Sequence, residues 1–211
     1  MNMRTSATGT LAAAALFCLS TAAQAMTVTY SDIKATDGTD SLGFSVAGTS
    51  VNGGDPNILD VDVTPFTLSS GGASAMSDTL IVTITAASGY YIEAIEFAES
   101  GDYDASNGFA AATVQMLAGG AGSEPGGQAY FNSAGSWGPL SQMLDISSLK
   151  LTSVTVSVSN QLFVGNASIE KTSAQLAASV APIPLPAAVW MLGTSLASLL
   201  VVTGRNRRAA A

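Results

Sequence analysis

The sequence predicts an all-β domain, an antiparallel β-sandwich of jelly-roll-like or immunoglobulin-like type, followed by one C-terminal transmembrane helix. Three observations predict it. Between the two ends, apolar and polar residues alternate with period two. Clusters of Gly, Asn, Asp and Pro recur between the alternating runs. Away from the ends, no stretch of twelve residues carries a helical apolar stripe. Successive side chains of a strand point to opposite faces, so alternation marks a sheet with one wet face.

The runs justify the elements in order. Residues 26–30 (MTVTY) alternate at the start. Leu42, Phe44 and Val46 alternate with Ser and Gly, and Val61 and Val63 with Asp60 and Asp62. Leu80, Val82, Ile84 and Ala86 form one face opposite Thr83 and Thr85, and Val154, Val156 and Val158 form another opposite Ser and Thr. Further strands are expected at 91–98, 113–117, 129–131 and 165–172. Val and Thr dominate, as half-buried pleated surfaces favour. Turns are expected at Gly53-Gly54-Asp55-Pro56, Gly71-Gly72, Ser88-Gly89 and Gly165-Asn166. A single helical turn is expected at 139–144, and 172–182 (TSAQLAASVAP) read as a spacer behind a domain spanning 26–171.

The two ends differ from this body. In residues 1–25, Arg4 precedes an apolar stretch of 9 residues (LAAAALFCL), and Ala23-Gln24-Ala25 is a small-x-small cleavage site. These are the three parts of a secretory signal. Phe17 and Leu19 around Cys18 do not fit a lipidation site. Near the other end, residues 185–203 form 19 residues without a charge. As a helix they would reach about 28 Å, close to the ~30 Å hydrocarbon core. Arg205, Arg207 and Arg208 follow, each costing about 2.5–3.5 kcal/mol at the bilayer centre, so they stop transfer and stay on the cytoplasmic side.

Composition excludes several functions. The chain has 211 residues, 10% of them charged, and its positive mean hydropathy comes largely from its ends. All 15 acidic residues lie between Ala25 and Ala187, against Lys34, Lys150 and Lys171 alone, a net −12. Nucleic acid is therefore no expected partner, because a binder needs a basic footprint. There is no His, and the only Cys is Cys18 in the export signal. The exported part can form no disulfide, thiol nucleophile or His-based triad. No enzyme is expected.

A plain anchor explains the apolar run and the arginines but not Pro182, Pro184 and Pro186, which hold the backbone extended just ahead of the helix. Ile183, Pro184, Leu185, Pro186 and Ala187, the helix and the basic end together resemble the C-terminal sorting signals of the PEP-CTERM class, most closely the VPLPA-CTERM variant. Ile183 stands where that variant has Val. The resemblance covers residues 183–208. It implies processing by an exosortase-type enzyme in a Gram-negative bacterium, an inner-membrane-anchored precursor, and a mature protein at the cell surface or outside, associated with exopolysaccharide and biofilm.

Within the domain, candidate sites are sparse. Asp102, Asp104 and Asn107 loosely follow a Ca²⁺ loop, in which alternating oxygens wrap a hard cation. Asn107 stands where the tight-turn Gly belongs, and Thr113 where a closing Glu belongs, so an ordinary acidic turn is the simpler reading. Asp55, Asp60 and Asp62 are a second acidic group. Glu93, Glu96 and Glu99 could supply a carboxyl pair only across strands. Trp137, in a Gly/Ser-rich stretch, is the aromatic suspected of exposure and of stacking on a sugar. The expected role is a non-catalytic structural or adhesive domain, with a Ca²⁺- or carbohydrate-binding module as the alternative.

Overall fold

A computed structural model describes residues 28–36, 43–63, 66–119, 122–123, 126–184, 191–192 and 194–195. The expected export signal with Ala23 and Ala25, and the tail residues Leu185, Pro186, Ala187, Arg205, Arg207 and Arg208, lie outside the described residues. Among the described residues, no helix is long and apolar enough to cross a membrane.

The strands are β1 (Val28–Ala35), β2 (Ser45–Val51), β3 (Ile58–Asp62), β4 (Thr67–Ala86), β5 (Tyr90–Asp104), β6 (Phe109–Ala118), β7 (Gly122–Ser123), β8 (Gly127–Phe131), β9 (Ala134–Asp145) and β10 (Ser153–Pro182). They pair antiparallel in one ten-stranded sheet. The expected all-β antiparallel architecture is therefore present. The thirty residues of β10 organise it. The N-terminal arm of β10 lies between β4 and β6, with β1 beyond β4 and β8 beyond β6. The C-terminal arm lies between β3 and β5, with β2 beyond β3 and β9 beyond β5. Both arms send side chains into one core, which holds Val156, Val158 and Leu162 from the first and Ile169, Leu176 and Val180 from the second.

The junction of the arms is a bulge. Ala73 pairs with Gly165 and Ser70 with Ala167, so Gly71 and Gly72 stand opposite Asn166 alone, and Asn166 has φ 53°. Bulges bend a strand and increase its twist. Both glycine signals were expected to end strands, but they kink strands that continue. The inward phase of β10 also changes here. Inward positions are even up to Val164, then odd at Ala167, Ile169 and Lys171.

Two further expectations are corrected. Residues 172–182 are not a spacer; they are the C-terminal arm of β10, paired with β3 and β5. Ala174, Leu176, Ala178 and Val180 are buried there. The alternation existed, but Ala and Ser have little intrinsic strand preference, and pairing on both sides overrides it. Residues 139–144 are not helical; they belong to β9. As an edge strand, β9 tolerates Pro139 because one row of its backbone groups needs no partner.

Candidate functional site

The outward face of β4, β10, β6 and β8 presents side chains in register. One row runs Ala75, Phe163, Ala111, Tyr130. The next runs Ser77, Gln161, Thr113, Gln128, and a third Thr79, Ser159, Gln115. On the other side of the aromatic row lie Ala73, Gly165 and Phe109. Phe109 packs its ring over Gly165, where any Cβ would collide with it. Neighbouring strands are about 4.8 Å apart, so Phe163 and Tyr130, two strands apart, are separated by ~9.5 Å at the backbone. Alanine between them leaves the floor low.

The result is a groove of about 510 Å³ lined mainly by Ala73, Ala75, Phe109, Ala111, Tyr130 and Phe163. A polar groove of about 450 Å³ adjoins it, sharing Thr113, Tyr130 and Phe163 and adding Gln115, Gln128 and Gln161. Tyr130 is 74% exposed and Phe109 51%. Large apolar side chains grouped on a surface mark interaction sites. The Tyr130 hydroxyl donates to Gln128 Oε1 at 3.0 Å, which ties the ring to the amide row. Among the described residues, neither groove is lined by a carboxylate, an amine or an imidazole. Flat apolar faces beside amides and hydroxyls suit a ligand with apolar C–H faces and a hydroxyl rim, and offer little acid–base chemistry.

The structure places Trp137 elsewhere. It is buried at 6% exposure, on β9, packed over Gly101, with its Nε1 donating to the Glu170 carbonyl at 3.3 Å. Phe131 lies 6.0 Å from it and stacks on Tyr103 at 4.2 Å. Trp137 is thus a core residue, because the glycine on β5 leaves a slot that its indole fills. The expectation of an exposed stacking platform at Trp137 is overturned.

Asp102 and Asp104 sit at the end of β5, and Asn107 in the tight turn to β6. Asp104 Oδ1 accepts from the Ser106 backbone N–H at 3.1 Å and the Ser106 hydroxyl at 2.8 Å. These bonds hold its carboxyl below the usual carboxylate range. Asp102 is opposite Glu170 on β10. Among the described residues no group of three His, Cys, Asp or Glu side chains could hold a metal ion. Asp60 is held by Asn52 Nδ2 and Gln175 Nε2, both at 2.8 Å, and Asp55 accepts from the Asn57 N–H at 2.9 Å, so these acids shape the β2–β3 loop. Glu93 and Glu96 face solvent, whereas Glu99 is buried against Lys171. The three glutamates do not form a surface pair.

Phe109 and Phe163 were missed by sequence reasoning. Extending the even-inward phase of Val154, Val156 and Val158 puts Phe163 outside, so that signal existed. Phe109 is followed by three alanines, which show no phase.

No family model matches the chain, and no curated protein matches it. Among solved structures, the chain is similar to the carbohydrate-binding module TmCBM61 in complex with beta-1,4-galactotriose, at 10% identity and a TM-score of 0.25, covering 69% of this chain and 88% of that one. It is also similar to the enzymatically active domain of tailspike protein 4 from bacteriophage CBA120, at 7% identity and a TM-score of 0.22, covering 70% of this chain. The match spans only 19% of that tailspike chain.

Proposed function

We propose that the protein is a non-catalytic, polysaccharide-binding domain of β-sandwich type, carried to the bacterial cell envelope. The observation that carries this reading is the register row Phe163–Ala111–Tyr130 beside the row Gln161–Thr113–Gln128. Aromatic faces stack on sugar rings, and the amides and hydroxyls bond their hydroxyls. The uncharged lining and the strongly acidic body favour a neutral glycan, since a polyanion would be repelled. Among the described residues the groove lining supplies no carboxylate or imidazole, which favours binding without turnover.

Calorimetric titration of the purified chain against neutral and acidic polysaccharides tests the reading. Saturable binding of a neutral glycan, lost in Phe163→Ala with Tyr130→Ala, supports it. Silence toward every glycan leaves a purely structural domain instead. Delivery rests on the two ends of the sequence: export through residues 1–25, then anchoring and exosortase-type processing at residues 183–208. Mass spectrometry of the mature C-terminus in the native host tests that part. A chain retaining residues 185–203 would overturn it.

A further inference from the structure

Each arm of β10 also sends a buried polar side chain into the core, on the opposite side of the sheet from the groove. Asn160 lies on the N-terminal arm, five residues before Gly165, and Lys171 on the C-terminal arm, five residues after Asn166. Both face inward. Asn160 is fully buried; its Nδ2 and Oδ1 make no well-formed hydrogen bond, although the carboxamide lies close enough to act on Glu99. Lys171 Nζ is 2.7 Å from Glu99 Oε2, with both side chains inaccessible, and Glu99 Oε1 has no partner. Asp78 stands opposite Asn160 on β4 and binds the Phe44 N–H at 2.8 Å. The Phe44 and Phe66 rings lie 5.6 and 4.3 Å from Lys171 Nζ. Asn160 acts on Glu99, and Asp78 opposite it acts on Lys171, so one buried cluster holds an amine, a carboxyl and a carboxamide. Buried polar atoms are almost always well bonded, so the three poorly bonded atoms here point to a chemical role.

Burial favours the neutral forms of both ionisable groups. It raises Glu99, against the opposing pull of Lys171 and then Asn160, and it lowers Lys171 to about 8, against the pull of Glu99 and Asp78. A neutral amine is a nucleophile, a neutral carboxyl is a proton donor, and a carboxamide carbon is an acceptor for attack.

We propose that Lys171 and Asn160 form an intramolecular amide cross-link, with Glu99 moving the protons. Lys171 Nζ attacks Asn160 Cγ, and Glu99 gives a proton to Oδ1 as the new C–N bond forms. Glu99 then takes a proton from the attacking nitrogen and delivers it to Nδ2. The Cγ–Nδ2 bond breaks, the carbonyl reforms as Oδ1 returns its proton to Glu99, and ammonia leaves. Glu99 ends protonated as it began, no electrons are transferred, and no other reactant is consumed. The link fastens the two arms of β10 to each other through the core. It does so in an exported part whose only cysteine is removed with its signal.

Mass spectrometry of the full chain after trypsin digestion tests this. In the linked protein, cleavage after Lys171 is lost. The fragment beginning at Leu151 runs past Lys171 and is lighter by one ammonia. Ordinary cleavage after Lys171, with Asn160 unmodified or merely deamidated, overturns the proposal from the wild-type protein alone. Asn160→Ala and Glu99→Gln are each expected to restore cleavage and the unlinked mass. A Glu99→Gln chain that still loses ammonia overturns the role of Glu99.

Discussion

Tyr130 and Trp137 are close in sequence and have opposite fates, and the difference predicts opposite phenotypes. Tyr130 stands on the exposed face of β8, while Trp137 fills the slot over Gly101. Tyr130→Ala should weaken glycan binding by about tenfold or more, roughly 1.4 kcal/mol, and leave stability within about 0.5 kcal/mol. Trp137→Ala should cost about 3–5 kcal/mol of stability, as loss of a buried aromatic does. Urea unfolding beside calorimetric titration separates the two. Asp104 supports a smaller expectation. Its carboxyl is held below 3.8 by Ser106, so its contribution is present above the unfolded value and is lost as pH falls through the folded one. The stability difference between wild type and Asp104→Asn should therefore be constant near neutrality and shrink below pH 3.8. Unfolding curves at pH 6 and pH 3, run on both proteins, check the direction.

At the scale of the element, β10 decides the behaviour of the chain. Its last residues pair with β3 and β5 and bury Ala174, Leu176, Ala178 and Val180. A chain ending after Lys171 should fail to fold, whereas one ending after Pro184 should fold as the full chain does. Circular dichroism and thermal melting distinguish the two. The close approach of β5 to β10 makes a second prediction. A Cβ on Gly101 would collide with the Glu170 carbonyl, a backbone atom that cannot move aside, and would press on the Trp137 indole. Gly101→Ala should therefore cost about 3 kcal/mol, within the usual range for overpacking and backbone displacement. Chemical denaturation measures it. The elements that were legible have Val and Ile in their inward positions, such as 80–86 and 154–158. Those that were not legible, β9 and the stretch of β10 beyond residue 172, carry a single Val and no Ile. Their strand state comes from neighbours on the sheet, not from their own residues.

For the molecule as a whole, charge is visible as composition, and the proposed export and sorting signals rest on linear spacing. The all-β class is visible too, because period-two patterning needs no knowledge of partners. The groove was hidden, because Phe109, Phe163 and Tyr130 come from three strands far apart in sequence, and only register puts them on one face. The buried cluster was hidden for a further reason. Counting from Val154 gives Asn160 an inward position, but the same count gives Lys171 an outward one. At the bulge, where Asn166 faces two residues of β4, the inward phase of β10 shifts by one and turns Lys171 inward, toward Glu99. By itself the sequence determined the class of fold and the acidity of the body, which are local or additive properties. The tertiary structure alone decided which aromatics are wet and which polar groups are buried together, because a one-residue phase shift and cross-strand register are set by long-range pairing.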